Sequence, residues 1–368
     1  MELVVRKNDL LKELSLLQGI VERKNTIPIL ANVLIEAAGS AASLLATDLD
    51  VGLRSRCEAT VAKPGMLTLP AKKLFEIVTA LPDTDIRIEE DKGGKSVTVA
   101  ADRFESRMQT LPASEFPTPP QDAGTAEAAL PGTALKRMIS HTRFAITSED
   151  TRYFLNGAQL VLRPDSMSMI ATDGHRLAFM SIRESPGKGA KSEVLLPRKT
   201  LNEVARLADA GEAIEFSQGE NHLFFRAGDR LLISRKIDAN FPAYERVIPK
   251  TNDKRIDFDR DRLAAAVRRV RLLSNERSKA VKFIIAKDQV EITSSTPEVG
   301  EAREVLPVDY AGASLQICFN ADYVDNFLSV VETEGVTLEF KDEMSQAVMK
   351  PVGGEGYDYT YVIMPMRI

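Results

Sequence analysis

The feature that most constrains this chain is a long internal repeat. Leu69-Pro70-Ala71-Lys72-Lys73-Leu74-Phe75-Glu76-Ile77-Val78 returns as Leu196-Pro197-Arg198-Lys199-Thr200-Leu201-Asn202-Glu203-Val204-Ala205, so that Pro70 and Pro197 stand 127 positions apart. Thr47-Asp48 returns as Thr172-Asp173, and Phe116-Pro117 as Phe241-Pro242, each after 125 positions. A fainter third copy, Asn320-Ala321-Asp322-Tyr323-Val324-Asp325-Asn326-Phe327-Leu328, occupies the place of the Lys-rich segment. A period of this length far exceeds the roughly 20–50 residues of stacked solenoid repeats. Each copy must therefore fold as a domain-sized unit.

Within each copy the apolar spacing predicts two helices. The first helices carry Leu10, Leu11, Leu14 and Leu17, then Leu135, Met138 and Ile139, then Leu263, Val267, Val270 and Leu273. The second helices carry Leu74, Val78 and Leu81, then Leu201, Val204 and Leu207, then Val324, Leu328 and Val331. Alternating runs around them read as hairpins: Ile86–Ile88 with Val97–Val99 across Lys92-Gly93-Gly94, and Leu223–Phe225 with Leu231–Ile233 across Gly228-Asp229. Pro117–Gly124 and Pro249–Asp253 read as linkers. The expectation is an α+β protein of three domains, 1–124, 125–250 and 251–368, each with two helices and several antiparallel strands.

Composition narrows the function classes. The start, Met1–Lys7, interrupts any signal-peptide core with charges, and no apolar run approaches the ~20 residues of a membrane span. Two cysteines, Cys57 and Cys318, are too few for a disulfide framework or a Cys-based zinc site, and they suit a reducing cytoplasm. The formal net charge is -5, so attraction to a polyanion must come from local placement. The helices supply it: Arg23 and Lys24, then Lys72 and Lys73, Lys136, Arg137 and Arg143, Arg198 and Lys199, and a dense third group of Arg268, Arg269, Arg271, Arg277 and Lys279. Acidic residues concentrate in strands and loops, as at Glu89–Asp91 and Glu332–Glu334. If the repeats are related by rotation, equivalent helices point one way and their cations share a surface. No base-reading motif accompanies them, so the contact is expected with phosphates and independent of sequence.

One stretch invites an enzymatic reading. Ala171-Thr172-Asp173-Gly174-His175-Arg176-Leu177 holds one of three histidines, and Asp48, Asp173 and His175 could serve a hydrolase or ligate a metal. Asp48 and Asp173, however, occupy equivalent places in different repeats. The chain also has no His-x-Glu or Cys-x-x-Cys pattern and no Gly-rich phosphate loop. Asp173-Gly174 reads instead as a hairpin turn, and neither a catalytic residue nor a metal or cofactor is expected.

Motifs along the whole length resemble the bacterial beta sliding clamps, the processivity subunits of DNA polymerase III holoenzyme. They are Thr26-Ile27-Pro28-Ile29-Leu30, Arg152-Tyr153-Phe154-Leu155-Asn156-Gly157, Ala171–Leu177, Phe241-Pro242 and the closing Tyr361-Val362-Ile363-Met364-Pro365-Met366-Arg367-Ile368. The resemblance implies a cytoplasmic head-to-tail homodimer closed into a ring, helices inside and sheets outside, around double-stranded DNA. It implies an ATP-driven clamp loader, the replicative polymerase alpha subunit, and other polymerases and repair proteins as partners, docking through Gln-Leu-x-Leu-Phe-type peptides.

The implied pocket between the second and third domains comprises Leu155, Thr172, Gly174, His175, Arg176, Leu177, Pro242, Arg246, Val247, Val362, Met364, Pro365 and Met366. Gly174 would admit the peptide backbone closely, and His175 would form a packing and hydrogen-bonding wall. An adjoining groove would use Arg152, Phe154, Asn320, Tyr323, Met344 and Gln346. Met344 and Gln346 are bulkier than the valine and serine of familiar members, and Phe154 stands for a tyrosine. The implied ring-closing interface pairs Leu272 and Leu273 with Phe104 and Met108, the aromatic being displaced from the position of Ser106. Phe104, Ser106 and Met108 share one face of a strand.

Overall fold

Each repeat opens on a strand that runs straight into a helix, and the apolar spacing explains which face of that helix is buried. The computed structural model describes residues 1–21, 26–122, 125–147, 150–187, 190–210 and 213–367. Arg23, Lys24, the end of the first linker at 123–124 and Ile368 lie outside the described residues. The helices are α1 (Lys7–Leu17), α2 (Ala71–Ala80), α3 (Gly132–Thr142), α4 (Arg198–Leu207), α5 (Arg260–Val270) and α6 (Ala321–Val330). Leu10, Leu14 and Leu17 are buried on α1, and Leu263, Val267 and Val270 on α5. Leu273 falls beyond α5, in a 3-10 turn over Arg271–Leu273, because the chain tightens after Val270.

Helix ends are satisfied by specific groups. The Asp259 side chain accepts the Arg262 amide at the start of α5, and Asn320 accepts the Asp322 amide at the start of α6. α1 packs on α2 and α5 on α6. In both pairs a cation at the start of the first helix meets carbonyls just past the end of the second: Lys7 donates to the Leu81 carbonyl, and Arg260 to that of Val331 at 2.7 Å.

The residues group into two compact units, Met1–Lys136 with Lys199–Lys236, and Arg137–Arg198 with Ile237–Ile368. In the first, a five-stranded sheet runs in the order Thr60–Lys63, Glu2–Arg6, Asp85–Glu90, Ser96–Ala101, Phe104–Gln109. Beside it in the same unit, an eight-stranded sheet runs Ala128–Leu130, Ile214–Gln218, His222–Ala227, Arg230–Arg235, Val51–Glu58, Ala41–Thr47, Asn32–Ala38, Gly65–Pro70. In the second unit an eight-stranded sheet runs Ser192–Pro197, Gly157–Arg163, Ser166–Thr172, Arg176–Ile182, Tyr357–Ile363, Ala347–Pro351, Gly335–Phe340, Lys254–Asp259. A four-stranded sheet, Gly300–Pro307, Gln289–Thr296, Ala280–Ala286, Leu315–Asn320, completes it. Both expected hairpins are present.

The two eight-stranded sheets each cross from one repeat into the next. Arg230–Arg235 pairs antiparallel with Val51–Glu58, setting Ile233 opposite Gly52. Tyr357–Ile363 pairs the same way with Arg176–Ile182, setting Val362 opposite Leu177. The first crossing is reinforced by ions: Arg230 forms a two-point pair with Glu13 of α1 at 2.6 and 2.9 Å. The second is reinforced by rings, with His141 edge-on to Tyr359 at 4.9 Å and Phe144 tilted against Tyr361 at 5.7 Å. No helix among the described residues is long and apolar enough to cross a membrane.

Candidate docking site

The Asp173-Gly174 turn is a tight hairpin built by side-chain hydrogen bonds. Thr172 Oγ1 donates to the Arg176 carbonyl at 2.6 Å and accepts the Gly174 amide at 3.1 Å. Asp173 Oδ1 accepts the amides of His175 and Arg176 at 2.9 and 3.1 Å. The first repeat builds the same turn with Thr47 and Asp48, at 2.6–3.1 Å. There the left-handed position is held by Leu49, with φ 82°, where Gly174 has φ 87°. The turn thus tolerates a side chain. What glycine adds at 174 is space for Arg152, because a Cβ there would stand 2.7 Å from an Arg152 guanidinium nitrogen. In this structure the Arg152 guanidinium takes that space.

Next to this turn lies an apolar cleft of about 140 Å³, lined by Leu155, Thr172, Gly174, Arg176, Leu177, Pro242, Tyr244, Val247, Val362 and Met364. Its floor is continuous with a buried cluster of Val161, Ile170, Leu177, Val348 and Val362. The tail is tied beside it at alternate residues: the Met364 amide donates to the His175 carbonyl at 2.9 Å, and the Met366 amide to that of Cys318 at 2.8 Å. Tyr244, absent from the sequence-derived set, stacks on Phe179 at 5.7 Å. The repeat could not reveal it, since Pro119 takes its place in the first copy. Arg246, Pro365 and Met366 do not line the cleft. Nor does His175: its side chain is exposed and makes no hydrogen bond among the described residues. In this structure the residue contributes the carbonyl that accepts the Met364 amide.

Arg176 is the keystone of the cleft. Its Nε donates to Asp173 at 3.0 Å, one Nη to Asn326 of α6 at 2.7 Å, and the other to the Phe144 carbonyl at 2.6 Å. Its guanidinium lies 4.2 Å from the Tyr323 ring centroid and 5.4 Å from that of Phe144. Burial disfavours the charge, but Tyr361 and Asp173 outweigh it and hold the guanidinium pKa above its ordinary value.

The groove residues are differently engaged. Phe154 meets Tyr153 edge-on at 6.0 Å. Asn320 uses its side-chain oxygen to cap α6. Tyr323 faces Arg176, and its carbonyl accepts the Tyr361 hydroxyl at 2.9 Å. Met344 is exposed in a turn closed by Asp342, and the Gln346 carbonyl accepts from Asn252 at 3.1 Å.

The helix cations prove largely paired. Lys72 and Lys73 are exposed and face Glu76. Lys136 pairs with Asp209, and Arg137 with Glu332. Arg198 donates to the Ile146 carbonyl, and burial with Arg176 and Arg143 nearby lowers its pKa. Lys199 meets the Asp48 carboxylate and donates to the Ile20 carbonyl at 2.9 Å. Arg268 and Arg271 meet Asp325, Arg271 and Lys279 meet Asp322, and Arg269 holds Glu304 in a two-point pair. Acidic residues were expected mainly in strands and loops, yet Asp322 and Asp325 sit on α6 opposite the arginines of α5. Of the expected interface residues, Phe104 (40% exposed) and buried Met108 lie on Phe104–Gln109, an edge strand of the first unit. Leu272 is 76% exposed in the second unit, with Leu273 half-buried beside it.

The enzymatic alternative loses its carboxylates to structure. Asp48 and Asp173 belong to different units, and each is engaged by its own turn and a cation. Among the described residues no cluster of acidic, His or Cys side chains could hold a metal. Cys57 is buried, and burial, with Glu13 and Asp9 adding repulsion, pushes its thiol up to about 12.

Fold and site together define a repeat-built α+β protein with an apolar cleft beside its C-terminal tail. Models of the DNA polymerase III beta subunit match the chain throughout: the N-terminal domain at residues 1–120, the central domain at 129–243 and the C-terminal domain at 245–367. A beta sliding clamp of Pseudomonas putida is 38% identical over 373 residues, and that of Escherichia coli strain K12 34% identical over 371, each covering 100% of both chains. The crystal structure of DNA polymerase III subunit beta from Pseudomonas aeruginosa matches with a TM-score of 0.93 at 35% identity, covering 100% of both chains. The chain belongs to the DNA polymerase III beta-subunit family, the bacterial beta sliding clamps.

Proposed function

We propose that this chain is a non-catalytic, cytoplasmic processivity clamp. Two copies close head to tail into a ring around double-stranded DNA, each counting as three domains, 1–124, 125–250 and 251–368. The ring is opened by an ATP-driven loader, and it tethers the replicative polymerase alpha subunit and other polymerases and repair proteins. The observation that carries this reading is the apolar cleft at Leu177, Pro242, Val362 and Met364 in a member of the sliding-clamp family. Its adaptable Met364 and aromatic Tyr244 suit the leucine and phenylalanine of a Gln-Leu-x-Leu-Phe-type peptide.

The paired cations support sliding better than gripping. A phosphate near Arg268, Arg269 or Arg271 must compete with Asp325, Asp322 or Glu304, so each contact is weak and sensitive to salt. Enclosure, not affinity, then holds the DNA. The edge strand bearing Phe104 and the exposed Leu272 supply apolar surface for ring closure.

Deleting residues 364–368 tests the docking reading, because it removes Met364 and both tail amide anchors. Fluorescence anisotropy with a labelled Gln-Leu-x-Leu-Phe-type peptide is expected to show binding lost, while sedimentation shows the dimer retained. Unchanged peptide affinity in the truncated protein contradicts the assignment.

A further inference from the structure

The first repeat carries a second groove, and the second repeat shows what fills its counterpart. Sheet register aligns the two copies: Leu34 and Arg54 flank Leu45 as Gln159 and Phe179 flank Ile170, and Glu36 pairs with Met66 as Val161 pairs with Glu193. In the second copy the chain covers this face itself. Tyr244 stacks on Phe179, and Phe241, Tyr244 and Ile248 pack against the buried cluster that includes Val161 and Ile170. In the first copy Phe116 keeps the place of Phe241, buried against Leu45, but Pro119 stands where Tyr244 does. The result is an open groove of about 320 Å³, floored by Leu34, Leu45 and Met66, with Glu36 and Arg54 in its lining. Met66 is 54% exposed. Among the described residues neither Glu36 nor Arg54, both exposed, has an ion-pair partner.

We infer that this groove docks a partner polypeptide carrying an aromatic side chain with a basic one two residues beyond it. The aromatic ring takes the space that Tyr244 fills in the second repeat. It stacks on the Arg54 guanidinium in place of Phe179 and contacts the Met66 thioether. The basic residue meets Glu36. The chemistry differs from the docking cleft, whose lining is almost wholly apolar, so the two sites select different segments. This site is independent of the docking cleft described above.

The probe is the acetylated, amidated pentapeptide Ala-Tyr-Glu-Arg-Val, the sequence of residues 243–247, titrated into full-length protein carrying labelled methionine methyls. The expected result is a saturable shift of the Met66 methyl resonance with Met364 unmoved. Arg54→Ala should weaken binding about two- to fivefold, and Glu36→Lys should weaken it as well. Pro119→Tyr, which supplies the ring in cis, should abolish it. A folded protein whose Met66 resonance does not move overturns the proposal. So does equal binding of the Tyr→Ala peptide, or a response confined to Met364.

Discussion

Leu49 holds a backbone conformation, φ 82°, that costs a residue with a side chain about 1–2 kcal/mol, and it does so with half its surface in water. Its counterpart Gly174 avoids that cost. Leu49→Gly should therefore raise the unfolding free energy by about 0.5–1 kcal/mol after the entropy of glycine in the unfolded chain is subtracted, as read by urea denaturation. A decrease would mean that the Leu49 side chain contributes packing that outweighs the strain. His141 offers a titration. It is buried on α3, with Nδ1 against the Arg137 carbonyl at 2.8 Å and Nε2 without a partner among the described residues, its ring edge-on to Tyr359 at 4.9 Å. Burial lowers its pKa, offset in part by the Arg137 carbonyl and Glu332, with Arg137 itself opposing protonation. The unfolded chain, with an ordinary histidine near 6.5, takes up the proton first. Stability should therefore fall as pH drops below about 6.5, down to the lowered folded-state value. His141→Gln should lack this component when denaturation midpoints are compared between pH 7.5 and 5; parallel pH dependences would contradict it. Neither residue's role is visible from its own neighbours in sequence. Leu49 gains meaning from its repeat partner, and His141 from a tyrosine on a strand of the third repeat.

α6 joins two jobs that the sequence assigns separately. Its cap, Asn320, was expected in the partner groove, while its side chain serves the Asp322 amide at 2.9 Å. Asn320→Ala should lower stability by about 1 kcal/mol and leave peptide affinity unchanged, measured by thermal denaturation and anisotropy on one sample. Lost affinity at full stability would return the amide to the groove. Further along, Asp322 and Asp325 neutralise cations of α5 and its exit, while Asn326 holds Arg176 beneath the cleft. Periodicity located both helices because burial imposes a 3.6-residue spacing on apolar side chains. It could not show which acid faces which base, since Arg268 and Asp325 meet only through the packing of α5 on α6. The same blindness hid Tyr244, whose partner Phe179 lies on a distant strand.

At the scale of the molecule, the repeats were legible because similar local chemistry recurs after 125 to 127 positions, down to the Thr-Asp turn. The continuity of sheets was not, since pairing of Val51–Glu58 with Arg230–Arg235 follows from edges that only the folded chain brings together. The proposed ring and tether depend on the sum of these parts, and the charge balance would set their strength. Replacing Arg268, Arg269 and Arg271 together by glutamate should cut retention on DNA at low salt and leave peptide binding intact, because Asp322, Asp325 and Glu304 would then stand uncompensated. Unaltered retention would remove these residues from the DNA-facing surface. The central claim, that the dimer holds DNA by enclosing it, is tested most directly by loading the protein with a bacterial clamp loader and ATP onto nicked circular DNA, then cutting the circle. The account predicts stable retention on the circle at physiological salt and prompt release once free ends exist; equal retention on circular and linear DNA would contradict it.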